Sequence, residues 1–213
     1  MKLFSPDSKF MRAMSTLGDL CLLNLAFLVC CVPIVTIGPA ITALDAAAFR
    51  IVRDIEGRPI QVFFQAFRQN LRRGIPLWLL LLLAGAAVAL DIWIFAAFTG
   101  VLRLMEVVFV LLLVLVLFTA GYAFPLLSQF DNTVKGTLKN ALFLSLGYLP
   151  RTLVITVLNV FPFAMLLWDL LLFLQCGFLW IFLYFAAIAC LNAKLLEKVF
   201  TPYWEEKKEE KDA

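Results

Sequence analysis

Apolar residues fill this chain in long blocks parted by short polar breaks. The blocks run from Leu20 to Val32, from Ala40 to Val52, from Ile75 to Ala97, from Met105 to Ala123 and from Leu153 to Leu191. Crossing a hydrocarbon core of about 30 Å takes roughly 20 apolar residues in a helix, and the longer blocks reach or exceed that. Unbroken runs such as Val107 to Phe118, rather than alternating positions, predict helices instead of a barrel. Ile75 to Ala123 and Leu153 to Leu191 are each about two membrane thicknesses long. Both must therefore turn, the first near Thr99, Gly100, Arg103 and Glu106, the second at Asp169 between Trp168 and Leu170. Trp78 and Trp93 are expected as interfacial anchors of the Ile75 to Ala97 span, and Gly121 with Pro125 as the close of the return span.

The first two blocks are separated by Pro33, Ile34, Val35, Thr36, Ile37, Gly38 and Pro39. Two prolines and a glycine within seven residues interrupt a helix and favour a turn, so this segment is expected to be a hairpin tip. Ala40, Ala43 and Ala47 share one stripe of the second arm, and small residues at that spacing allow close helix approach in lipid.

Two polar stretches carry a different periodicity. Between Ile60 and Arg73, the residues Ile60, Phe63, Phe64, Phe67 and Leu71 lie within about 100° of one another, with Gln61, Gln65, Arg68, Gln69 and Arg72 opposite. That pattern predicts an amphipathic helix on the membrane surface. A second such helix, Thr133 to Leu146, is expected with Asn132 as its cap and carries Lys135 and Lys139. Arg68, Arg72, Arg73, Lys135 and Lys139 are the candidate docking residues, for anionic lipid headgroups or for a cytoplasmic partner. Both helices are followed by a proline and a two-span stretch, a weak internal echo of the kind seen in transporters.

The expected architecture is thus an all-α, polytopic membrane helix bundle of six membrane segments, the first two a Pro/Gly-broken hairpin, plus two interfacial amphipathic helices. Residues 1–204 form one integral membrane domain and 205–213 a charged tail. The alternative is five transmembrane helices, with Ala40 to Val52 not crossing. Lysine and arginine are retained in the cytoplasm. With a hairpin, 17 of the 18 basic residues face inward, leaving Arg103 outside, and both termini are cytoplasmic in a plasma-membrane protein. With five crossings, Lys2, Lys9 and Arg12 join Arg103 outside. The early basic residues and the run after them are a retained anchor, since no small-x-small cleavage pattern follows.

Composition narrows the chemistry. Hydrophobic residues make up 63% of the 213 and charged residues 15%, outside the range of ordinary soluble domains. Histidine is absent, which removes His-ligated zinc and any nucleophile relying on an imidazole base. The five cysteines (Cys21, Cys30, Cys31, Cys176 and Cys190) sit in apolar stretches without a CxxC, as small buried hydrophobes do. Neither GxxxxGK[ST] nor GxGxxG occurs, so no nucleotide-hydrolysing module is expected. No catalytic residue, cofactor, metal or nucleic-acid partner is expected either.

An ionisable group at membrane depth is a functional candidate because its burial is expensive. Asp45, with the broken segment at Pro33, Gly38 and Pro39, is the leading candidate: a cation ligand, a proton carrier or the counter-charge of an arginine, against the plainer reading of an aspartate hydrated on a shallow helix. Asp91, Glu106 and Asp169 count out to headgroup level. Asn24, Asn159, Gln175 and Asn192 are expected to bridge helices by hydrogen bonds.

Several segments resemble a known family. Leu25 to Leu44 with its Pro-Ile-Val-Thr-Ile-Gly-Pro-Ala-Ile-Thr-Ala-Leu core, the set Phe63, Phe64, Ala66, Phe67 and Asn70, and Tyr122-Ala-Phe-Pro followed by Thr137-Leu-Lys-Asn-Ala-Leu are similar to the YesL-like bacterial membrane proteins, described by a domain of unknown function (number 624). That family has no established activity and supplies no catalytic residues to carry over. Its genes often stand beside carbohydrate-binding and permease components of ABC uptake systems in Gram-positive bacteria. The resemblance therefore implies a non-enzymatic accessory or regulator of sugar import, with permease or ATPase subunits as partners. A small-solute or ion transporter using Asp45 is the alternative.

Overall fold

In a computed structural model of the chain, residues 9–98 and 103–212 are described, with side chains placed for 14–98 and 103–204. The described residues form an all-α bundle, and six of its segments are long and apolar enough to cross a membrane. The helices are α1 (Lys9–Cys31), α2 (Ile37–Val52), α3 (Pro59–Ala96), α4 (Leu104–Gln129), α5 (Val134–Gly147), α6 (Leu149–Trp168), α7 (Leu170–Gln175), α8 (Gly177–Leu179) and α9 (Phe185–Asp212). A short 3-10 turn, Ile34–Thr36, leads into α2, and a π-helical turn, Trp180–Tyr184, leads into α9. The expected turn at Thr99 and Gly100, and residues Lys2 and Ala213, lie outside the described residues.

The amphipathic stretch Ile60 to Arg73 and the span beginning at Ile75 are a single helix. α3 runs for 38 residues straight through Pro76, about 57 Å at 1.5 Å per residue. Pro76 costs one backbone hydrogen bond, which the packed neighbours of a membrane helix can tolerate. α4 likewise continues past Gly121 and Pro125 to Gln129 instead of closing there. α5 starts one residue later than expected, because Thr133 and not Asn132 caps it: the Thr133 Oγ1 accepts from the Gly136 amide at 3.2 Å. Asp169 does part α6 from α7. Its carboxylate accepts the amides of Leu171 and Leu172 at 2.9 and 3.1 Å and caps the next helix.

At the centre stands α2, with Gly38 to Ala40, Thr42 to Asp45 and Ala47 to Phe49 all buried. It lies antiparallel to the first half of α3. Gly38 meets Gly74 and Trp78, while Ala46, Phe49 and Arg50 share a cleft with Val62, Gln65, Ala66 and Gln69.

The break from Pro33 to Pro39 differs from the expected hairpin tip. Contacts with the last helix keep one order along the chain: Asn24 bonds Trp180, Ile181 and Ala186, Phe27 packs on Phe185, Phe49 on Phe200, and Arg53 on Trp204. A chain that doubled back would pair Asn24 at the level of Asp45, well down α9. Instead α1 and α2 pass the last helix in the same direction, joined by a kink. The reason is local. Pro33 is extended (φ −78°, ψ 120°), the 3-10 turn restarts the helix at once, and among the described residues the only positive φ values are at Asp54 and Gly57. The Thr36 hydroxyl donates to the carbonyls of Cys30 and Pro33 (2.7 and 2.8 Å), taking up acceptors freed where α1 ends.

Candidate functional site

Asp45 is 6% exposed, on a helix whose Ala43, Leu44, Ala47 and Ala48 are buried as well, and its Oδ2 has no hydrogen-bond partner in the protein. Of the other break residues, Pro33 is exposed, while Gly38 and Pro39 are buried inside α2. Gly38 owes its place to contact and not to backbone freedom. A Cβ there would overlap Trp78 Cβ and stand 2.6 Å from the Gly74 carbonyl oxygen. Trp78, expected as an interfacial anchor, instead donates from its indole nitrogen to the Ile34 carbonyl at 2.9 Å and clamps the break to α3. Trp93 remains an open surface residue. The structure thus joins Pro33 to Pro39 with Gly74 and Trp78, and leaves Asp45 apart in the helix core.

Buried amides hold the far end of α1. Asn24 Nδ2 donates to the carbonyls of Trp180 and Ile181 (2.8 and 2.7 Å), and its Oδ1 accepts the Ala186 amide at 3.0 Å. A π turn leaves backbone groups out of the regular ladder, and one asparagine satisfies three of them. Asn192 and Asn159 join α9 to α6 through a 3.1 Å bond.

The polar residues gather at one end of the bundle. Arg68, Arg72, Arg73, Lys135 and Lys139 are exposed. Arg73 Nη1 lies 2.9 Å from Asp131 Oδ1, which fastens the amphipathic half of α3 to the segment that begins α5. Lys194, Glu197 and Lys198 of α9 stand at the level of the second half of α2, since Arg53 reaches both Glu197 (3.8 Å) and Trp204.

Sequence reasoning missed the cluster at the C-terminal end of α2. The Arg53 guanidinium lies 3.4 Å from the Trp204 ring centroid, and Phe49, Phe130 and Phe200 complete the group. Burial lowers the Arg53 pKa from its ordinary value, and the Glu197 carboxylate opposes the change. Arg50 donates from Nη2 to the Glu56 carbonyl and so holds the Asp54 to Gly57 loop. Both arginines line a cleft of about 310 Å³ with Gln65, Gln69, Ser128 and Gln129. These residues come from three helices, so no local motif announces them. Among the described residues, no three metal-ligating side chains cluster.

Six apolar helices in an all-α bundle define the class: a multi-pass membrane protein. Residues 20–92, about a third of the chain, match the family described as "Protein of unknown function, DUF624", which supports a place in that family. The match spans the second half of α1, the broken segment, α2 and most of α3, the part on which α4 and α9 pack. No curated protein and no solved structure matches the chain.

Proposed function

We propose that this is a non-enzymatic membrane protein that assists or regulates a carbohydrate ABC uptake system, docking through a polar platform at one end of its bundle. The partner class comes from the family resemblance. What supports a docking role is the platform, in which α2 packs on α3 and α9, α5 packs on α4, and Arg68, Arg72, Lys135 and Lys139 are turned outward.

That platform lies outside the hydrocarbon. The half of α3 paired with α2 exposes Gln61, Gln65, Arg68, Gln69 and Arg72, and charged side chains facing lipid at mid-depth are strongly disfavoured. From Ile75 to Ala96 the same helix covers about 33 Å, one membrane thickness. α2 then sits at the membrane surface, five segments cross, and α1 starts on the face opposite the platform. The side richer in lysine and arginine is the cytoplasm, and the platform carries Arg50 to Arg73, Lys135, Lys139, Lys194 and Lys198.

Charge reversal tests the docking. Affinity purification in mild detergent is expected to recover permease or ATPase subunits with the native chain and to lose them when Arg68, Arg72, Lys135 and Lys139 are changed to glutamate. Recovery of the protein alone, or unchanged recovery with the reversed platform, contradicts the proposal. The buried Asp45 carboxylate, whose Oδ2 has no hydrogen-bond partner, favours a second reading, transport, but the cleft that Ala46, Arg50 and Arg53 line does not include it.

A further inference from the structure

We propose that the cleft between the end of α2, the first half of α3 and the end of α4 binds a phosphate-bearing group, with Arg50 and Arg53 as its cationic wall. The cleft is within the size range of small-molecule sites, and its lining contains two arginines and no carboxylate. Guanidinium groups drawn out of water need anions or other acceptors to compensate them. Here compensation is incomplete. Arg53 has one carboxylate, Glu197, at the long separation of 3.8 Å, and Arg50 has only a backbone carbonyl. Arg50 Nε and Arg53 Nη2 are both buried without an acceptor, a state proteins seldom leave uncorrected.

Each guanidinium is also held in place before any ligand arrives. Arg53 is stacked on Trp204 and Arg50 is tied to the Glu56 carbonyl in the loop that Asp54 (φ 50°) and Gly57 (φ 123°) turn. Fixed forks of this kind suit the oxygens of a phosphate. Opposite them, Gln65 and Gln69 bring amides and Ser128 a hydroxyl, groups that hydrogen-bond to an ester's hydroxyl substituents. A phosphate on a soluble metabolite and a phosphate in an anionic lipid headgroup share this chemistry. The cleft is distinct from the outward basic residues of the docking platform, and binding there does not require a protein partner.

Titration calorimetry on the full chain with glycerol 1-phosphate, at constant ionic strength and in phosphatidylcholine nanodiscs, tests the proposal. Saturable binding is expected, weakened about tenfold in Arg50→Gln, as befits loss of one charge-assisted contact. Gln65→Leu alters an exposed side chain that the fold does not need and is expected to weaken binding as well. Repetition in phosphatidylglycerol nanodiscs separates the sources. Loss of glycerol phosphate binding there assigns the cleft to the lipid headgroup, whereas unchanged binding assigns it to a soluble ester. Absence of saturable binding in phosphatidylcholine, or equal affinity in both variants, overturns the proposal.

Discussion

Gly38 and Gly74 meet where α2 crosses α3. A Cβ on Gly38 would stand 2.6 Å from the Gly74 carbonyl oxygen, and one on Gly74 would stand 3.0 Å from Pro39 Cγ. Backbones this close hold α2 at a fixed height on α3 and carry the break with it through the Trp78 to Ile34 bond. Gly38→Ala is expected to destabilise the protein by about 1–3 kcal/mol, the usual range for overpacking. Gly18→Ala meets nothing within 4 Å and is expected to be neutral or slightly stabilising. Thermal melting in detergent compares the two, and equal melting points would show that the crossing is looser than described.

Asn24 supplies three hydrogen bonds to the π turn, so Asn24→Leu keeps the volume and removes the partners. A loss of about 1–3 kcal/mol is expected for backbone groups left unpaired, together with faster hydrogen exchange at Ala186, whose amide Asn24 accepts. An unchanged exchange rate would mean that the turn does not depend on Asn24.

Removing the Arg53 stack should matter less than removing the ring beneath it. Arg53→Met loses a cation–π contact of about 0.5–2 kcal/mol. Trp204→Ala also opens the aromatic group formed with Phe49, Phe130 and Phe200 and is expected to cost more, about 2–4 kcal/mol, below the full range for buried aromatics because Trp204 is only partly buried. Denaturation of the two variants side by side gives the order, and the reverse order would place the main contact elsewhere.

Asp45→Asn replaces a carboxyl with an isosteric amide at a site where Oδ2 has no partner. Stability is expected to hold or rise, because a buried carboxyl without a counter-charge contributes little. Solute flux in proteoliposomes is expected to be the same for both forms. A marked fall in flux with Asp45→Asn would revive the transport reading.

The membrane class and most helix limits were legible in the sequence, because apolar length and the cap at Asp169 are local signals. The direction of the chain at Pro33 was not. Proline and glycine announce an interruption, but a kink and a reversal begin with the same residues, and only the contacts of Asn24 and Phe27 with Trp180 to Ala186 separate them. Gly38 shows the same ambiguity: its missing Cβ serves contact with Trp78 and Gly74, a partner 36 residues away. The Arg50 and Arg53 cleft was hidden because three helices build it. Pro76 and Pro125 misled because packed membrane helices tolerate them.

The central claim is that α1 and α2 run the same way; under the topology proposed above, the start of α1 and the end of α9 then face opposite sides of the membrane. Single cysteines at Met11 and Lys207, in a background with the five native cysteines replaced by alanine, can be exposed to a membrane-impermeant maleimide in intact cells. Labelling of Met11→Cys with protection of Lys207→Cys until the cells are opened is the predicted result. Protection of both until lysis would restore the hairpin and contradict this account.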